Sequence, residues 1–265
     1  MRMEGVGTLH LLFMNAELYY LLPVSAVDKI SDGRGEADDL SVINFFELTA
    51  DRSRMQSAVN TYIIEINHNG ECFGLSVQSV IGLRNIEPEG QILLKEPVLN
   101  SRNQYLKAAV WLEEEQVWAY LLDSSQLNRS EQRADISEDK KCQIPITSDS
   151  IDSEELEFIV IEYGGRPFYA DKRKAEGIVT NPQIQRVPGA FEYIIGISAY
   201  ESQMIIYYNL MKSPTEEITD HPCGIIMKGR NGSFFGVWGS ITGEYHGILK
   251  EAECLAEGIW EIHCD

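Results

Sequence analysis

Short apolar runs separated by polar turns dominate the chain. Leu9-His10-Leu11-Leu12-Phe13, Leu18-Tyr19-Tyr20-Leu21-Leu22, Tyr62-Ile63-Ile64-Glu65-Ile66, Phe158-Ile159-Val160-Ile161, Tyr193-Ile194-Ile195-Gly196-Ile197, Met204-Ile205-Ile206-Tyr207-Tyr208 and Gly224-Ile225-Ile226-Met227-Lys228 are rich in β-branched and aromatic residues. Such runs, bounded by turn residues, predict strands. Asn15-Ala16-Glu17 and Gly164-Gly165-Arg166-Pro167 read as turns, and Asn69-Gly70 and Asn231-Gly232 as hairpin tips, where both turn residues must tolerate positive φ. Few segments keep a 3.6-residue period. A helix start is predicted at Ser213-Pro214-Thr215-Glu216, with Pro222 stopping it early, and a turn or two of helix over residues 24–30. Many short strands with frequent turns predict an all-β protein built of small barrels or sandwiches.

The pattern occurs twice. Asn69-Gly70-Glu71-Cys72-Phe73-Gly74-Leu75 returns as Asn231-Gly232-Ser233-Phe234-Phe235-Gly236-Val237, 162 positions on (231 − 69). Three further matches keep the same order. Phe45-Phe46-Glu47-Leu48 aligns with Tyr207-Tyr208-Asn209-Leu210, and Leu18-Tyr19-Tyr20 with Pro167-Phe168-Tyr169. Residues 117–123 (Val-Trp-Ala-Tyr-Leu-Leu-Asp) align with residues 259–265 (Ile-Trp-Glu-Ile-His-Cys-Asp). Ordered matches of this kind predict a duplication, with a first copy shortened between residues 20 and 48 and a second shortened after its hairpin. Residues 128–155 are rich in Ser and charge and poor in aromatics, the composition of a linker. The expected domains are therefore 1–127 and 156–265.

Charge and cysteine usage narrow the function. The 265 residues hold 41 acidic and 22 basic side chains, a formal charge of −19. Such a surface repels phosphate backbones and anionic lipid heads, which argues against nucleic acid and direct membrane insertion. Five scattered cysteines (Cys72, Cys142, Cys223, Cys254 and Cys264) without a Cys-x-x-Cys pair argue for a reducing, cytoplasmic setting. No ligand spacing points to a metal, no glycine-rich loop to a phosphate, and no nucleophile framing surrounds His10, His68, His221, His246 or His263. No cofactor and no catalytic residue is expected. Trp118 and Trp260 read as core, Asp123 and Asp265 as turn caps, and Glu113-Glu114-Glu115 as a solvated hairpin tip able to steer a basic partner.

Residues 193–210 (Tyr-Ile-Ile-Gly-Ile-Ser-Ala-Tyr-Glu-Ser-Gln-Met-Ile-Ile-Tyr-Tyr-Asn-Leu), preceded by Val187-Pro188-Gly189-Ala190, resemble the central signature of the CheW family of bacterial chemotaxis coupling proteins. Gly74-Leu75-Ser76-Val77-Gln78-Ser79-Val80 and Leu121-Leu122-Asp123 match two later elements of that family. The resemblance implies tandem CheW-like domains, each of two five-stranded SH3-like β-barrels. It implies a non-catalytic adaptor of signal transduction that binds a CheA-type histidine kinase through its regulatory domain, a methyl-accepting chemotaxis receptor, or both. Tyr193, Ile195, Tyr200, Glu201 and Gln203 would be its partner-binding residues. The family's Asn, Arg and Gly stand here as Ala199, Glu201 and Ser202, its strand proline as Ile206, and its Val-Asp aspartate as Gln78 and Gly239. Glu in place of Arg would repel a partner carboxylate. The first copy has no counterpart of residues 187–200. A rival reading is an enzyme or small-ligand binder with Cys or His chemistry in a cleft between the halves.

Overall fold

The computed structural model describes residues 7–33, 40–46, 61–131, 155–201, 203–211, 222–229, 232–249, 252–256 and 258–262. The proposed helix start at residues 213–216, most of the 128–155 linker, and Asn231, His221, Cys142, Cys264 and Asp265 lie outside them. The described residues are overwhelmingly strand and fall into two compact units. The first comprises residues 1–138 together with 188–190, the second 139–187 together with 191–265.

In the first unit the strands are β1 (Thr8–Asn15), β2 (Leu18–Pro23), β3 (Val27–Asp32), β4 (Val42–Asn44), β5 (Tyr62–His68), β6 (Glu71–Val77), β7 (Ser79–Ile86), β8 (Gln91–Leu93), β9 (Leu106–Leu112) and β10 (Val117–Leu122). Six form one sheet in the order β7-β1-β2-β10-β9-β8, and four a second in the order β3-β5-β6-β4. The larger sheet curls. Leu12, Leu21, Ile86, Ala108, Val110, Leu112, Ala119 and Leu121, drawn from β1, β2, β7, β9 and β10, converge on one apolar cluster. Arg84 on β7 also ion-pairs Glu115 at the β9–β10 tip, three strands away in the sheet order. Glu115 is thus engaged inside the unit, while Glu113 and Glu114 are both exposed, Glu114 lying 3.5 Å from Arg84. A second, aromatic core holds Phe13, Tyr20, Phe45, Tyr105 and Tyr120, all fully buried. Tyr20 is at its centre, with centroids 5.4 Å from Phe13, 4.7 Å from Phe45 and 6.1 Å from Tyr120.

In the second unit the strands are β11 (Leu156–Tyr163), β12 (Arg166–Asp171), β13 (Ala175–Thr180), β14 (Ile194–Tyr200), β15 (Gln203–Tyr208), β16 (Pro222–Lys228), β17 (Phe234–Gly247), β18 (Ala252–Ala256) and β19 (Ile259–Ile262). All nine join one sheet because the long β17 pairs with β16 and β15 along one stretch and with β11 along the next. The corresponding run in the first unit is split into β6 and β7 at Gln78.

The ladders correct three expectations. Bulges fall at matching steps, between Leu12/Phe13 and Val160/Ile161, and between Val27/Lys29 and Ala175/Gly177. Both pairs are 148 apart (160 − 12 and 175 − 27), an offset that would set Tyr20 against Phe168, one position from the match read in the sequence. Asn44 and Asn209 each accept the amide N–H two residues on, Phe46 at 3.1 Å and Met211 at 3.0 Å, after strands that run parallel to β6 and β17. That turn aligns Asn44 with Asn209 (209 − 44 = 165) rather than Phe45 with Tyr207. Runs of similar apolar residues slide past one another without penalty, whereas an Asx turn does not. Finally, β10 runs parallel to β2 but β19 antiparallel to β12. Ile-Trp-Glu-Ile reads alike in both directions, so its pattern determines which face is buried but not the direction of the strand. Trp118 and Trp260 are both core residues nonetheless.

The turn of helix expected within residues 24–30 forms in part. Only a 3-10 turn (Val24–Ala26) stands in residues 24–30, the rest being β3, and an α-helix, α1 (Ser124–Glu131), follows β10. Asp123 opens it, its Oδ1 accepting the Ser125 amide at 3.0 Å and the Ser125 hydroxyl at 2.6 Å.

His10 on β1 is buried, and its Nδ1–H donates to the Thr8 carbonyl at 2.7 Å. Burial holds its pKa below the usual value; the Thr8 carbonyl opposes the shift and Lys107 adds to it. The folded state therefore keeps His10 neutral where the unfolded chain takes up a proton. The His10 contribution should be complete above about pH 6.5 and fall away as the pH drops below it. Urea midpoints between pH 7.5 and 5.5 should fall more steeply for the native chain than for His10→Gln; parallel slopes would refute this.

Candidate docking surface

The β14–β15 hairpin carries the residues that the family resemblance marks. Its register runs from Tyr200↔Gln203 to Ile194↔Tyr208, with an extra residue at Ile195. Glu201, at φ +47°, occupies the turn in the left-handed region. Asp, Asn and Gly reach that region most easily, so a glutamate there is held by the hairpin rather than by its own preference. On its free side β14 is strapped by residue 185: Gln185 and Ile197 exchange two backbone hydrogen bonds of 2.8 Å each. The strap passes directly over Gly196, where a Cβ would lie 2.8 Å from the Gln185 carbonyl carbon and closer still to its oxygen.

The five marked side chains divide. Ile195 and Tyr200 pack against the small cluster of Ile205, Tyr207 and Ile226. The Tyr200 ring lies over Gly177 on β13, where a Cβ would sit 3.0 Å from Cζ. Glu201 and Gln203 are exposed at the tip. Tyr193 stands apart from them in a run of rings with Phe191, Tyr208 and Phe235, all four partly exposed. The spacing Phe191-x-Tyr193 is the one sequence signal of this run; Tyr208 and Phe235 join it through strand pairing.

Beneath the hairpin, Tyr207 is buried across two glycines. A Cβ on Gly224 or on Gly236 would meet its ring or hydroxyl at 2.5 Å, and burial pushes its pKa up to about 12. Burial also raises that of Tyr208. Gly239 on β17 has a packing reason: a Cβ there would lie 2.8 Å from the Glu162 carbonyl oxygen and run into Ile161.

Among the described residues, histidine and cysteine chemistry finds no comparable setting. His68 lies between Asn69, Nδ2 to Nε2 at 3.0 Å, and Ser124, Oγ to Nδ1 at 3.3 Å. With the amide N–H donating to Nε2, the ring's own N–H is on Nδ1 and points at the serine. That is the wrong way round for drawing a proton from its hydroxyl. Cys72 is exposed and Cys223 and Cys254 are partly buried. Among the described residues no three His, Cys, Asp or Glu side chains are grouped to hold a metal ion, and no helix is long and apolar enough to cross a membrane.

An all-β chain of two units, with a strapped hairpin in the second, is the class of protein these observations define. No protein-family model matches it, and no curated protein does. Among solved structures it is similar to the scaffolding protein TtCheW from Thermoanaerobacter tengcongensis, at a TM-score of 0.38 and 15% identity, over 46% of this chain and 92% of that one.

Proposed function

We propose that the chain is a non-catalytic, cytoplasmic adaptor of chemotaxis-type signalling, made of two diverged copies of one module over residues 1–127 and 156–265. It would hold the regulatory domain of a CheA-type kinase, a chemoreceptor, or both through strand surfaces. The β14–β15 hairpin carries this reading. It is the segment densest in the family signature, and it places Glu201 and Gln203 in solvent on a hairpin strapped at Gly196. The matching bulges and the Asn44 and Asn209 turns support the duplication.

Calorimetric titration of the full chain with a CheA regulatory domain and with a receptor tip should give saturable binding to at least one. Glu201→Arg should change affinity for an acidic receptor surface several-fold in the favourable direction, as a rim charge of about 1 kcal/mol or less would. Binding to neither partner would overturn the proposal.

A further inference from the structure

The four rings form a continuous run from core to solvent. Phe235 packs against the main cluster of the second unit. Tyr208 meets it at 5.9 Å and 60°, Tyr193 stacks on Tyr208 at 6.3 Å and 15°, and Phe191 stacks on Tyr193 at 5.5 Å and 16°. The backbone beneath is fixed, since the Asn209 amide donates to the Tyr193 carbonyl at 2.8 Å. A core gains most from rings that are fully enclosed, as in the first unit. Here four in a row stay partly exposed, so that part of each ring meets solvent.

Residues 187–211 carry Glu192 and Glu201 as their only charged side chains, with Arg186 and Lys212 just outside, in a chain of net charge −19. Glu192 is exposed between the first two rings. Partly exposed rings with an exposed glutamate next to them in the chain can attract a cation through both the ring quadrupole and the carboxylate charge. Guanidinium fits better than ammonium, because it is planar, weakly hydrated, and able to stack and pair at once.

We propose that Phe191, Tyr193, Tyr208 and Glu192 form a docking strip for an extended, arginine-bearing segment of a partner protein. This deepens the adaptor reading and rests on it for the role of the β14–β15 hairpin, but it requires neither a kinase nor a receptor as the source of the segment. An extended peptide suits a linear run of rings, and the acidic surface disfavours nucleic acid.

The test uses the full chain and synthetic peptides of about twelve residues, spaced with proline and carrying Arg, Lys, citrulline or Leu at the centre. The Arg peptide should bind best and Lys next. Citrulline, which keeps the shape and loses the charge, should bind about tenfold more weakly. Phe191→Ala should weaken the Arg peptide about tenfold, and Glu192→Gln about threefold with a shallower salt dependence. Glu176→Gln, an exposed acid on β13, should change nothing. Unaltered near-ultraviolet circular dichroism would show that each variant is folded. Equal binding of the citrulline or Leu peptide, indifference to Phe191→Ala, or no binding of any peptide would overturn the strip. Arg-peptide binding without kinase or receptor binding would uphold the strip and remove the chemotaxis reading instead.

Discussion

Tyr20→Ala should lower the stability of the first unit by about 3–5 kcal/mol, while Tyr20→Phe should raise it by about 1 kcal/mol. The ring is fully buried and touches Phe13, Phe45 and Tyr120, so its removal leaves an aromatic-sized cavity that β1 and β2, fixed by their ladder, cannot close. The hydroxyl is another matter. It is buried, and among the described residues it finds no hydrogen-bond partner. Burial, with smaller contributions from Tyr105 and Tyr120, drives its pKa well above the usual value. A buried unpaired hydroxyl costs roughly 1–3 kcal/mol, and Phe removes that cost while keeping the ring. Chemical denaturation of the two variants beside the native chain decides the matter. A loss on Tyr20→Phe would show that the hydroxyl is paired after all.

How far the sequence foretells this structure depends on the range of each interaction. Strands were legible because Tyr62-Ile63-Ile64 and Met204-Ile205-Ile206 carry the β signal within themselves. The Asn69-Gly70 tip was legible because Asn69, at φ +53°, and Gly70, at φ +88°, adopt the conformation such turns demand. Helix α1 was hidden by its polar run of Ser, Gln, Asn, Arg and Glu, which matches linker composition; Leu127 is its one apolar anchor, fully buried. The reversed direction of β19 belongs to its pairing with β12 and leaves no local trace. Candidate site residues were legible in the same measure. Glu201 and Gln203 stand at an exposed tip because a hairpin of that length must turn there. That Tyr200 packs on Gly177 is not legible locally, since which side of a strand faces a neighbouring strand is decided by the sheet as a whole. Phe235 lies 42 residues from Tyr193 (235 − 193), and only the parallel pairing of β15 with β17 brings it into the ring run.

Gly196 is where fold and docking surface meet, and Gly196→Ala is expected to disturb both. The strap at residue 185 approaches β14 so closely that a methyl group would overlap the Gln185 carbonyl, a backbone atom that cannot rotate out of the way. The two hydrogen bonds between Gln185 and Ile197 hold the strap there, so relief comes only by breaking them or bending β14. Overpacking of this kind costs about 1–3 kcal/mol, with Gly196 at the upper end because the clash is with main chain on a strand already bulged at Ile195. Gly243→Ala is the control. It too lies in a strand, nothing stands within 4 Å of the added methyl, and the exchange should be neutral or slightly stabilising. A displaced strap also shifts the entry to β14 and with it Tyr193. Gly196→Ala should therefore weaken the Arg peptide as Phe191→Ala does, but with a loss of stability that Phe191→Ala largely lacks. Equal midpoints for the two glycine variants would show that residue 185 does not cross β14 at this distance, and the anchoring of the hairpin would have to be sought elsewhere.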